Sequence, residues 1–301
     1  MSEIVECVPN FSEGRRPEVV RQIVDAIRGV AGVTLLGEEM DADHNRSVVT
    51  FVGTRAPVEA AAFAGVKVAA RLIDLNHHQG QHKRMGACDV LPFVPVRGID
   101  LDGCAAMARS TGERIGRELG VPVYLYEHAA TRPERRNLAD IRAPEFEGLK
   151  DLIGKDPERV PDFGPNAIHP TAGCMAVGAR FFLVAYNINL ATRDLKLAKA
   201  IAKNIREKDG GFRCVKAMGF DLAERGLVQV SMNLTNYTVT PIRTVYDAVA
   251  SQAAAAGVDV EESELVGLAP RAALDESTAK HVRLRGFDAR KQIIESLLGL
   301  E

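Results

Sequence analysis

Residues 33–53 read VTLLGEEMDADHNRSVVTFVG. Two apolar, β-branched runs, 33–39 and 47–53, flank a polar stretch from Asp41 to Arg46, which is the pattern of two antiparallel strands joined by a turn. Upstream lies RPEVVRQIVDAIRGV (16–30), with Val19, Val20, Ile23, Ile27 and Val30 at helical spacing and Gly32 as its stop. Downstream lies VEAAAFAGVKVAARLIDL (58–75), a long Ala-rich helix. With EIVECVPNF (3–11) as a first short strand and VLPFVPV (90–96) as a later one, the order becomes β-α-β-β-α-β. Two strands back to back between helices define the ferredoxin-like split unit. A further helix, Leu101 to Leu119, and the strand PVYLY (122–126) extend it.

The second half repeats the order. FFLVAYNINL (181–190) reads as a strand and DLKLAKAIAKNIREK (194–208) as a helix. RCVKAMGF (213–220) and LVQVSMNL (227–234) read as paired strands, PIRTVYDAVASQAAAAG (241–257) as a helix, and VDVEESELVGL (258–268) as the closing strand. The chain ends in ARKQIIESLLGL (289–300), which has helical spacing. The fold class expected is α/β (α+β), with two ferredoxin-like βαββαβ subdomains over residues 1–179 and 180–301. Between them, 142–178 is rich in Pro, Gly and Asp with no clear periodicity, and so long an irregular stretch is usually functional.

Composition narrows the function. The chain has 301 residues, 46% hydrophobic and 26% charged, with net charge −2, an ordinary soluble composition. No basic stripe points to nucleic acid, and no apolar run approaches a membrane span. The N-terminus lacks the features of a signal peptide. Five scattered cysteines without a CxxC pair argue against a disulfide framework or thiolate zinc site and for a reduced, cytoplasmic setting.

The densest chemistry lies in HHQGQHKRMGACD (77–89), which holds three of the seven histidines. Four readings compete. A metal site would use His77, His78 and His82, but adjacent histidines on an extended chain diverge. A phosphate cradle fails the P-loop spacing. A solvated turn is the bland alternative. A general base suits His82, whose ordinary pKa near ~6.5 lets it accept and return a proton at neutral pH. Elsewhere, Asp41, Asp43 and His44 resemble ligands but fit a strand turn. Asn187 and Asn189 share one sheet face and suit a ligand surface. Cys88 reads as a small buried thiol.

The motifs VECVPNFSEG (5–14), HNRSVVTFVG (44–53), GQHKRMGACDVLPFVPV (80–96), PVYLYEHAA (122–130), PDFGP (161–165) and VAYNINL (184–190) together closely resemble the glutamate formiminotransferase family. That family includes the N-terminal enzyme of formiminotransferase-cyclodeaminase, and the likeness covers essentially the whole chain. It implies two α/β subdomains facing each other across a substrate tunnel, and transfer of a formimino group from N-formimino-L-glutamate to N5 of tetrahydrofolate. It implies His82 as general base. Its folate loop corresponds to Gly164, Pro165, Asn166, Ala167, Ile168, His169, Pro170, Thr171, Ala172 and Gly173. It implies no metal and no tightly bound cofactor, with tetrahydrofolate as co-substrate, a homodimer, and a cyclodeaminase on a separate chain. Two positions depart: Ala172-Gly173 where mammalian members carry Trp-Gly, and Glu39 where they carry Asp. Arg46, Lys83, Arg84 and Arg97 are candidates for the substrates' carboxylates. Formyl transfer between 5-formyltetrahydrofolate and glutamate, a non-catalytic folate-binding protein and a metal hydrolase are the rival readings.

Overall fold

A computed structural model describes residues 3–80 and 83–300. The chain divides between Arg180 and Phe181 into two compact units. Arg180 closes the first, its N–H donating to Phe93 O at 3.1 Å.

In the first unit the expected hairpin is β3 (Val33–Asp41) paired antiparallel with β4 (Arg46–Gly53). The opening strand is split at Pro9 into β1 (Ile4–Cys7) and β2 (Asn10–Phe11), because proline has no N–H to give a ladder. Both pieces lie between β4 and β5 (Cys88–Arg97), antiparallel to each. The resulting order β3-β4-β1/β2-β5 is that of the split unit.

Helices α1 (Pro17–Arg28), α2 (Arg55–Leu72) and α3 (Leu101–Leu119) bury one face of this sheet. Val19, Val20, Ile23 and Ile27 of α1 meet Val5, Cys7, Val49, Phe51 and Phe93 of the strands in one core. Helix α3 starts at Asp100, whose carboxylate accepts from Gly103 N–H at 2.8 Å, and stops at left-handed Gly120 (φ 66°).

One strand escaped the sequence reading. After α3, β6 (Val123–Glu127) forms as expected, and short helices α4 (Leu138–Arg142) and α5 (Glu145–Leu152) follow. The supposedly irregular stretch then returns as β7 (Met175–Ala179), parallel to both β5 and β6 and lying between them. Within its sequence, MAVGA, Gly178 is a glycine because Tyr126 lies against it: a Cβ there would stand 2.4 Å from the Tyr126 ring. Ile141 and Leu149 from α4 and α5 join Tyr124, Tyr126, Val90 and Ala176 in a second core on the other face.

The second unit is a four-stranded antiparallel sheet ordered β11-β8-β10-β9, again the split-unit order. The strands are β8 (Val184–Leu190), β9 (Val215–Leu222), β10 (Leu227–Leu234) and β11 (Val260–Val266). Helices α6 (Leu195–Ile205) and α7 (Ile242–Ala255) pack on Tyr186, Ile188 and Val230. After α8 (Glu276–His281), the expected C-terminal helix is broken into α9 (Ala289–Gln292) and α10 (Ile294–Leu297). Ile293 between them is extended (ψ 120°) and bridges to Ala269, which accepts from Ile294 N–H at 3.1 Å. That long-range pairing outcompetes the local helical spacing.

Candidate active site

The candidate site is assembled in the first unit from two loops. The first follows α2 and spans 73–87. His82, the expected general base, lies outside the described residues, as does Gln81. The flanking residues show how the loop is held.

Its base is fixed by the NFSEG motif (10–14). Ser12 Oγ donates to Gly86 O at 2.7 Å, and Ser12 N–H to Ala87 O at 2.9 Å. Gly14 N–H donates to Asn45 Oδ1 at 2.9 Å, and Asn45 Nδ2 to Gln79 O at 3.0 Å. Any side chain at Gly80 would strike the β3–β4 turn, since its Cβ would stand 2.3 Å from His44 O. Glu13 accepts from the N–H groups of Arg15 and Arg16 and from Arg16 Nε, which together hold its carboxyl below the usual range despite burial. Beside this frame opens a cleft of about 420 Å³, lined by Glu13, Arg15, Arg16, Asn45, His78 and Gln79.

His78 joins the two arms of the loop. Its Nε2 donates to Asn45 O at 2.9 Å and its Nδ1 accepts from Arg84 Nε at 3.2 Å, so the ring is held neutral in one tautomer. Burial and the Arg84 charge push its pKa down, consistent with that role. Arg84 is buried and forks onto both oxygens of Glu147, at 2.7 and 2.6 Å. Arg84 is therefore a structural anchor between the loop and α5 rather than a free carboxylate receptor. Lys83 lies 3.8 Å from Glu145. Arg46 is half-buried and, with Arg142, flanks Asp89; the Arg142 guanidinium bonds Asp89 Oδ2 at 2.5 Å. Among the described residues, Arg97 Nε is buried without a hydrogen-bond partner.

The second loop is 164–173. Its exposed residues are Gly164 to Ala167 and Pro170. Its end is stitched to the first loop: Leu75 N–H donates to Thr171 O, Ala87 N–H to Ala172 O, and Cys174 N–H to Met85 O, at 2.9, 2.9 and 3.0 Å. Asn76 Nδ2 donates to Pro170 O at 2.9 Å. At the crossing the backbones touch. A Cβ on Gly86 would lie 2.0 Å from Cys174 O, and one on left-handed Gly173 (φ 71°) 2.2 Å from Met85 O. Two stretches far apart in sequence thus form one structural element.

Gly164, at the other end, has φ 84°, and its Cβ would stand 2.8 Å from Val121 O. An alanine there reports on packing against α3 and the Val121–Pro122 turn, so exposed Asn166 and Ala167 are the informative positions for ligand contact.

Other candidates have other roles. Asp41 accepts from His44 N–H at 2.9 Å, an ordinary turn cap. His77 is exposed and pairs with Asp74 at 3.1 Å; both line the same cleft as His78 but share none of its hydrogen bonds to Asn45 and Arg84. Among the described residues no group of three or more His, Cys, Asp or Glu is placed to hold a metal. Asn189 is fully buried, donating to Glu262 and Glu264 and accepting from Gln229 at 2.9 Å, so it presents no ligand surface. Burial pushes the Cys88 thiol up, which makes it inert.

Glu6 was not singled out in the sequence. It sits on β1 opposite Val52 and Val94, on the face away from α1 and α2, and is 3% exposed. Burial pushes its carboxyl up to about 7, with the Arg180 charge pulling the other way. A raised pKa means that the folded state holds the proton more tightly than the unfolded chain. The associated stability is full at acid pH and is lost as pH rises toward about 7. Glu6→Gln should therefore gain in Tm relative to wild type between pH 5 and pH 8. An unchanged Tm difference across that range would show that Glu6 is ionised throughout.

Fold and site define a protein of two split βαββαβ units, the first carrying a pair of interlocked loops. Residues 4–180 match the N-terminal subdomain of the formiminotransferase domain, and residues 185–296 match the formiminotransferase domain. A glutamate formimidoyltransferase of Thermoplasma acidophilum is 50% identical, over 95% of this chain and 94% of its own. One from Streptococcus pyogenes is 45% identical over 99% and 100%. The formimidoyltransferase-cyclodeaminase of Gallus gallus is 43% identical over all of this chain but 57% of its own length. The chain belongs to the formiminotransferase family.

Proposed function

We propose that this protein is a glutamate formimidoyltransferase, moving the formimino group from N-formimino-L-glutamate to N5 of tetrahydrofolate. The observation that carries the reading is the full-length identity to two such enzymes, which spans both units. The interlocking of the 73–87 and 164–173 loops supports it, because a base and a co-substrate must be brought together.

In this reading N5 attacks the amidine carbon, forming a tetrahedral intermediate with N5 cationic. His82 takes the N5 proton and returns a proton to the glutamate nitrogen as its bond to carbon breaks. The products are 5-formiminotetrahydrofolate and glutamate, and the base is regenerated. The neutral His78, clamped between Asn45 and Arg84, holds the loop without taking part in proton transfer. Residues Gly164 to Gly173 contact the folate, which acts as co-substrate, and no tightly bound cofactor is required. The reaction places the protein in histidine catabolism and one-carbon metabolism.

A cytoplasmic homodimer completes the proposal. The five free cysteines fit a reducing compartment, and among the described residues no helix is long and apolar enough to cross a membrane. The test is incubation of purified protein with tetrahydrofolate and either formiminoglutamate or formylglutamate. Formation of 5-formiminotetrahydrofolate only with the former supports the reading; product only from the formyl donor overturns it.

A further inference from the structure

We propose that His169 binds folate as a fixed, uncharged hydrogen-bond donor, its Nε2–H meeting a carbonyl oxygen of the pteroyl part. The proposal rests on the reading of 164–173 as the folate loop and names a chemical role within it. The geometry starts at the other nitrogen. His169 Nδ1 accepts from Thr171 N–H at 3.3 Å and from Ala172 N–H at 3.0 Å. An imidazole nitrogen that accepts carries no proton, so the proton is on Nε2 and the tautomer is set by the backbone. Burial without a neighbouring acid pushes the ring's pKa down, which keeps it neutral.

The turn that His169 caps is the one Asn or Asp usually caps, since a short side-chain oxygen reaches the same two N–H groups. Imidazole does this work and also projects a donor beyond it. Among the described residues nothing accepts from Nε2, although the ring is half-buried. The donor is preorganised. Pro170 follows it, His169 and Gly173 exchange both backbone hydrogen bonds at 3.1 and 3.2 Å, and Gly173 is pinned against Met85. A neutral N–H suits a carbonyl better than a carboxylate, which would favour protonation of the ring and so break the Nδ1 cap.

Two isosteric substitutions separate the roles. Asn at 169 keeps the acceptor at the Nδ1 position and deletes the outer donor. Gln places an amide N–H near the Nε2 position and forfeits the cap. Anaerobic calorimetry with tetrahydrofolate should show His169→Asn weakened roughly tenfold with Tm nearly unchanged, the value of one net hydrogen bond. His169→Gln should lose Tm yet bind more tightly than His169→Asn. Tetrahydropteroate, which lacks the glutamate, should show the same factor. Equal affinity of His169→Asn and wild type would overturn the proposal, as would equal weakening by both variants. A loss confined to tetrahydrofolate would also overturn it, by assigning the acceptor to a carboxylate. Ala167→Arg, on the exposed part of the loop, keeps the two readings apart. If it weakens folate binding and His169→Asn does not, the loop reading stands and the donor falls. If neither does, both fall.

Discussion

His82→Ala lowers kcat by ~10²–10⁴-fold, the usual cost of losing a general base, with a much smaller change in folate affinity. The wild-type rate should fall as pH drops through the histidine's pKa, because an imidazolium cannot accept the N5 proton. That acid limb should vanish from the variant's residual activity. His77→Ala provides the control: exposed and, among the described residues, paired only with Asp74, it should leave kcat within roughly tenfold of wild type. His78→Ala should behave differently from both, lowering stability through loss of the Asn45–His78–Arg84 clamp. A folded His82→Ala protein turning over at the wild-type rate would remove the histidine from the mechanism and leave its loop a solvated turn.

Gly173→Ala costs on the order of 2–4 kcal/mol of stability, combining a left-handed backbone with a clash against rigid main chain. The clash is with Met85 O at 2.2 Å, and the backbone angle is φ 71°. Gly86→Ala, at 2.0 Å from Cys174 O, should match it from the other side of the crossing. Chemical denaturation gives the stability change. Because the same crossing holds both loops, residual folded protein should lose folate binding and turnover together. A Gly173→Ala protein with wild-type stability and unaltered folate binding would show that the loops are not mechanically joined.

Much of the fold was readable from local pattern. The 33–53 hairpin announced itself by alternation around a polar turn, and α3 by its spacing between Asp100 and Gly120. Strand β7 did not, because Gly178 leaves room for Tyr126 and the flanking alanines are small, and small residues carry little strand signal. The break at Ile293 was hidden for a different reason: its cause, Ala269, lies far away in sequence. The site divides likewise. The expected role of 164–173 rests on resemblance, and that of His82 on resemblance together with histidine chemistry. The His78–Arg84–Glu147 clamp and the Gly86–Gly173 crossing depend on contacts between distant segments, which no local motif encodes.

The late arrival of β7 has a consequence for the order of assembly. Its slot lies between β5 and β6, both of which precede it in the chain, so a sheet containing those two strands must leave or reopen a gap to receive it. Cys174, which ties the second loop to Met85, immediately precedes this strand. The ferredoxin-like part of the unit can therefore form before the two loops are joined. Transient release of β7 would then dismantle the site while β1 to β5 stay folded. Amide exchange of Ala176 and Val177 thus marks a local opening distinct from global unfolding. If folate binds 164–173 as proposed, it should clamp the segment just ahead of that strand and slow this exchange selectively.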